Sequence, residues 1–265
     1  MHASNPIFME RPMALRLSDV SSSEGETEAR RQLACAYRLF DHFGWHELIY
    51  NHITVRVPGD DDHFLINPFG LMYREINASN LVKIDLDGRI VGKSEYDVNP
   101  AGFVVHSAVH RAKPDMHAVA HTHTTAGQAV ACQERGLLPL SFTSMFYSQR
   151  VAYHEFEGIT LDTDECQRLA ADLGDCRLMI LRNHGLLACG PTIADTFLDL
   201  YNLQRACEVQ IAAQAGGAKL NFPSPAAVAN CAAQHERVQS KGKEAQMLYG
   251  AMTRWMRDKD SSFLD

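Results

Sequence analysis

The stretch His117-Ala-Val-Ala-His-Thr-His-Thr-Thr-Ala-Gly127, HAVAHTHTTAG, decides how the rest of the chain is read. MHAVAHTH reads as a strand. Side chains alternate along it, so Val119, His121 and His123 share one face. TTAGQAVACQERG reads as a helix that starts directly after it. His121 and His123 therefore stand at the C-terminal end of a strand, an edge where layered α/β folds build their sites. The pair alone proves little. With 13 histidines in 265 residues, chance supplies roughly 0.6 occurrences of H-x-H.

Elements of both kinds extend outward from that strand. Upstream, SDVSSSEGETE is polar, and residues 1–25 read as a loose arm. Ser23 and Glu26 fit a capping box for a first helix, ARRQLACAYRLFDHF, ending near Gly44. LIYNHITVRVP and HFLINPFG read as strands. LVKIDLDGRIVG reads as a hairpin tipped by Asp87-Gly88. AGFVVHSAVHRAK is a helix halted before Pro114. Downstream come a strand RVAYHEF, a helix DECQRLAADLG capped by Asp162 with Glu165, and an apolar strand leading into RNHGLLACG. TIADTFLDLYNLQRACEVQIAAQ is a long amphipathic helix closed by Gly216-Gly217, and SPAAVANCAAQHERVQSKGKEAQMLYGAMTRWMRD continues as helix. The pattern is a layered α/β or α+β domain with helices over a sheet, spanning 26–265.

Bulk properties exclude several function classes. The formal charge is -7 with no compensating Lys/Arg run, so a phosphate backbone is repelled and no nucleic-acid partner is expected. No apolar run approaches the length of a membrane-spanning helix, and no signal peptide is expected. Seven cysteines, an odd number without C-x-x-C, read as reduced thiols of a cytoplasmic protein. No G-x-G-x-x-G follows a strand, and neither a Walker A motif nor G-x-S-x-G occurs.

A third histidine changes the weight of the first two. His184 lies in RNHGLL, just after an apolar strand, in a tight turn held by Gly185. A catalytic zinc-type site takes about three protein ligands and leaves one position open. The rival reading remains two satisfied histidines on a half-buried strand. His106 and His110, at helical i, i+4 spacing, read as a helix face at a sheet or subunit boundary rather than as ligands. Glu208 reads as a solvated or hydrogen-bonded residue of its long helix.

HTHTTAG followed by NHGLL, with YNHITVRVPG and NPFG upstream, resembles the class II aldolase/adducin family from about Ala34 to Gln214. NPAGFVVHSAVHRAKPD, GLLPLSF and VAYHEFEG most resemble adducin head domains and their bacterial relatives. The resemblance implies a three-layer α/β/α domain with a mainly antiparallel central sheet, assembled as a homotetramer with sites near subunit boundaries. It implies that His121, His123 and His184 bind a divalent metal, for which three imidazoles favour Zn2+. It implies that Asn51 and Gly70 bind substrate, at positions that contact a substrate phosphate. It places a catalytic tyrosine in the segment that contains Tyr147.

The departures from the family pattern shape the functional expectation. Four positions before His106, where aldolases carry an acidic metal ligand and acid/base, stands Gly102. The two preceding serines are Pro100 and Ala101, and the hydroxyl-bearing residue before Gly70 is Phe69. Glycine can neither coordinate nor move a proton. One expectation is then a metal-dependent lyase-type enzyme on a small carbonyl or hydroxy-acid substrate without phosphate, taking its acid/base from Tyr147, Glu75, Glu95 or metal-bound water. The other is a non-catalytic, adducin-like scaffold domain that keeps a metal site. Binding to actin or the cytoskeleton follows only from the weak adducin analogy, since the basic tail it would need is not seen.

Overall fold

Strands β1 (His52–Arg56), β2 (His63–Ile66), β3 (Val82–Asp85), β4 (Ala118–Thr122), β5 (Val151–His154), β6 (Leu178–Leu181) and β7 (Gly185–Gly190) form one sheet in the order β3-β2-β1-β4-β7-β6-β5. All pairs are antiparallel except β5 with β6. The structure, a computed structural model, describes residues 22–158, 163–239 and 243–265.

Strand alternation sorts the core into two layers. Ala118, Ala120, Leu178, Ile180, Leu186 and Ala188 face one cluster, with Leu33, Tyr37 and Phe40 of helix α1 (Ser22–Phe43) and Phe197 and Leu203 of helix α6 (Ile193–Ala215). Their sequence neighbours Val119, Met179, Leu187 and Cys189 face the other, with Val105 and Val109 of helix α2 (Pro100–Ala112) and Leu169 and Leu173 of helix α5 (Thr163–Leu173). A period of two in the strands thus produces the expected three-layer α/β/α arrangement. Burial of each large aliphatic side chain contributes about 1.5–3 kcal/mol.

Local differences from the sequence reading are few. The first helix begins at Ser22, so Ser23 lies within its first turn rather than at the cap. The arm expected over residues 1–25 falls outside the described residues as far as 21, and the Asp162 cap lies outside them as well. The C-terminal helical run is two helices, α7 (Pro225–Gln239) and α8 (Glu244–Lys259). Helix α3 (Thr125–Ala131) starts where expected, with the Thr124 side chain accepting from the Gly127 amide. A short helix α4 (Phe142–Phe146), capped reciprocally by Ser141 and Ser144, had no periodic signal to announce it. Among the described residues no helix is long and apolar enough to cross a membrane.

Candidate metal centre

The register of β4 against β7 brings the three histidines together. Thr122 pairs with Leu186 and His121 with Leu187, so His123, just past β4, meets the turn that precedes β7. Asn183 makes that turn in the left-handed region at φ 55°, which asparagine tolerates well. Its amide donates to the Ala131 carbonyl at 3.2 Å, tying the turn to α3. Gly185 is required by close approach. A Cβ there would lie 2.3 Å from the Thr122 carbonyl oxygen, and 3.2 and 3.3 Å from the rings of His123 and His121.

The three Nε2 atoms converge. His121 Nε2 lies 2.7 Å from His123 Nε2 and 3.3 Å from His184 Nε2, and the last two are 2.9 Å apart. His121 Nδ1 is 2.9 Å from the Leu186 carbonyl, which can only accept, so Nδ1 carries the proton and Nε2 presents a lone pair. Burial pushes the His121 pKa well below its ordinary value, and the nearby imidazoles of His123, His184 and His52 add to the effect. Burial lowers His123 to about 4 and also lowers His184. The rings are therefore neutral at pH 7. Three neutral nitrogens this close cannot all hydrogen-bond one another, because the His121 lone pair can be served by only one donor at a time without clash. One small cation satisfies all three at once. Zn–N bonds of 2.0–2.1 Å in a tetrahedral set place nitrogens about 3.3 Å apart. The donor set fits such an ion.

The histidines open on a cavity of about 400 Å³, walled by Tyr50, His52, Asn99, Gly102, Val105 and Phe156 besides the three rings. No lysine, arginine, aspartate or glutamate is among its described lining residues. Position 102 is filled by a ring from the strand that α2 covers. His52 pairs with His121 in the β1–β4 ladder, and a Cβ on Gly102 would lie 2.5 Å from its Cε1 and 2.6 Å from its Nδ1. Burial lowers the His52 pKa to about 4, opposed by the carbonyls of Tyr50 and Gly102. Behind it His106 and His110 clasp Thr54 Oγ1 at 2.7 and 2.8 Å. Both are buried, and neither belongs to the metal-type cluster.

The other expected site residues lie elsewhere in the chain's fold. The Tyr147 hydroxyl donates to Asp199 at 3.0 Å and accepts from Asn202 at 3.2 Å. It lines a separate cavity of about 550 Å³ with Arg177 and His235, larger than the histidine cavity but without its ligand set. Burial, then the Asp199 charge, raises its pKa well above the ordinary value. Asn51 is buried between Tyr50 and His52, and its side-chain amide donates to the Trp45 carbonyl at 3.2 Å. Gly70 sits on an exposed turn after β2 at φ 99°. Neither Asn51 nor Gly70 lines the histidine cavity. The Glu75 carboxylate accepts from the Met72 amide at 2.8 Å, and Glu95 is exposed. Sequence reading missed His52, although it stands in the same YNHIT segment as Asn51.

The family model for the Class II Aldolase and Adducin N-terminal domain matches residues 31–211. The chain belongs to the class II aldolase/adducin family. A Pseudomonas aeruginosa protein named for aldolase class 2 is 54% identical over 203 residues, 77% of either chain. Alpha-adducin of Rattus norvegicus is 46% identical over 209 residues, which are 77% of this class II aldolase/adducin chain and 28% of that protein. Two solved structures superpose over most of their length. An aldolase II superfamily protein from Pseudomonas syringae has a TM-score of 0.87 at 47% identity, covering 91% of this chain and 96% of its own. An L-fuculose 1-phosphate aldolase from Glaciozyma antarctica PI12 has a TM-score of 0.80 at 25% identity, covering 94% and 96%.

Proposed function

We propose that this class II aldolase/adducin protein is a divalent-metal-dependent, lyase-type enzyme acting on a small, unphosphorylated carbonyl or hydroxy-acid substrate. The observation that carries the reading is the convergence of three neutral Nε2 atoms on an uncharged cavity. His121, His123 and His184 would hold the ion, with zinc the best match to three imidazoles. A bound divalent cation supplies Lewis acidity to a carbonyl oxygen. The chain's own residues do the rest. The Leu186 carbonyl orients His121, Gly185 lets the turn close, and Val105 and Phe156 give the cavity apolar lining. With no lysine or arginine among the described lining residues, a phosphate dianion finds no cationic side chain to hold it away from the ion. Tyr147, Asn51 and Gly70 stay outside the cavity in the structural settings described above. A homotetramer and a cytoplasmic location belong to the proposal too; seven unpaired cysteines support a reducing compartment.

A second reading, an adducin-like binding domain that retains the metal, is favoured by the absence of any carboxylate from the described cavity lining and by the identity to alpha-adducin. Metal analysis of the purified protein tests what both share. About one zinc per chain is expected in the wild type and none in His121→Ala or His184→Ala; a metal-free wild type would end the assignment. A retro-aldol and dehydratase screen then separates the two. Turnover of unphosphorylated substrates supports the enzyme, and a preference for phosphorylated sugars contradicts the reading of the cavity.

A further inference from the structure

We propose that His52 presents a fixed lone pair to the compound held at the three-histidine centre, and so selects ligands bearing a hydroxyl beside the carbonyl or carboxyl group. The inference rests on the metal-site reading above and adds the chemistry of the ligand.

His52 is 4% exposed and lines the cavity beside His121, His123 and His184. Its Nδ1 is 3.3 Å from the Tyr50 carbonyl, and a carbonyl only accepts, so Nδ1 bears the proton. Nε2 is left as a bare acceptor, and among the described residues it has no hydrogen-bond partner. A buried acceptor without a partner costs stability unless something supplies the hydrogen. Gly102 keeps that ring edge uncovered, since a Cβ there would lie 2.5 Å from Cε1 and 2.9 Å from Nε2.

The neighbouring ring cannot take this role. Thr54 has one hydroxyl hydrogen for two imidazoles. His110 Nδ1 donates to the Met116 carbonyl at 3.2 Å, so its Nε2 accepts from Thr54 and His106 Nδ1 must donate to Thr54. His106 Nε2 is then bare as well, but the residue is 0% exposed and lies outside the cavity lining. It packs against His52 with ring centroids 4.2 Å apart and fixes that ring from behind.

His52 is not a fourth ligand. Among the described residues, the cluster whose ligand atoms lie within 4.8 Å of one another consists of His121, His123 and His184, and the His52 ring centroid is 5.9 Å from that of His121. It reaches what the centre holds rather than the centre. A neutral acceptor in an uncharged wall suits a neutral hydroxyl. Carboxylate or carbonyl at the cation and hydroxyl at His52 together describe a 2-hydroxy acid or a hydroxycarbonyl compound.

The test uses Co2+-loaded protein, whose visible absorption reports ligand binding, with glycolate and acetate as probes that differ by one hydroxyl. Wild type is expected to prefer glycolate. His52→Phe keeps a flat ring and removes the lone pair, and should lower that preference about tenfold with Co2+ affinity unchanged. His52→Gln, which offers an amide oxygen, should retain more of it. If the phenylalanine variant does not fold, His52→Met of similar volume takes its place. No glycolate preference in wild type, or an equal preference in wild type and His52→Phe, overturns the proposal while leaving the metal site standing. A tenfold loss of Co2+ affinity in His52→Phe would make His52 a ligand and also overturn it. Failure of wild type to bind Co2+ defeats the metal reading itself, and this one with it.

Discussion

Gly102 and His52 occupy adjoining space that admits only one side chain. Within a helix, alanine is favoured over glycine by about 1 kcal/mol. Overpacking at a site this tight costs about 1–3 kcal/mol. Gly102→Ala is therefore expected to destabilise the protein, because its Cβ meets the buried ring of His52, packed between β1 and α2. In a His52→Ala background the collision is gone and the same substitution should become stabilising. Urea unfolding of the two single variants and the double variant checks this reversal of sign; an equal effect in both backgrounds contradicts it. Tyr147 supplies a second residue-scale expectation. Tyr147→Phe removes the hydrogen bond donated to Asp199 and the one accepted from Asn202, and should lower stability by roughly 1–3 kcal/mol, with zinc content unchanged.

At the scale of elements, the site depends on a turn more than on any helix. Gly185→Ala would drive a methyl group against the Thr122 carbonyl, a backbone atom that cannot swing away. The β4–β7 register would have to shift, so a loss of a few kcal/mol and of bound zinc is expected in denaturant titrations and metal analysis. This turn was legible in the sequence, since Asn183, His184 and Gly185 each carry a local signature. So were β4 and α3, where alternation gives way directly to a capped helix. What escaped reading was set by pairing across the sheet. His52 shows its role only opposite His121, a partner 69 residues away. Tyr147 was placed by the segment it belongs to, but the buried Asp199 of α6 captures its hydroxyl. Helix α4 is five residues long, too short to show a period.

The molecule as a whole buries histidines that resist protonation. Burial lowers His52 to about 4 and His110 to about 3, against about 6.5 in an unfolded chain. Between those values the unfolded chain binds more protons than the folded one, so stability rises with pH through the window. It is complete above about pH 6.5 and is lost as pH falls toward 4. Metal-free protein should melt several degrees lower at pH 5 than at pH 7.5, and His110→Asn should shrink the difference; a flat profile would contradict the burial of neutral rings. The strand order has a further consequence. β4 is the fourth of seven strands, with three on each side, and its neighbour β7 leads out of the turn that holds His184. Fraying at the sheet edges does not reach it, so the amides of Val119 and Ala120 should exchange with deuterated solvent only through global opening. The fold, rather than the ion, then holds the three rings in place, and a chain stripped by a chelator should reload on mixing without a refolding delay.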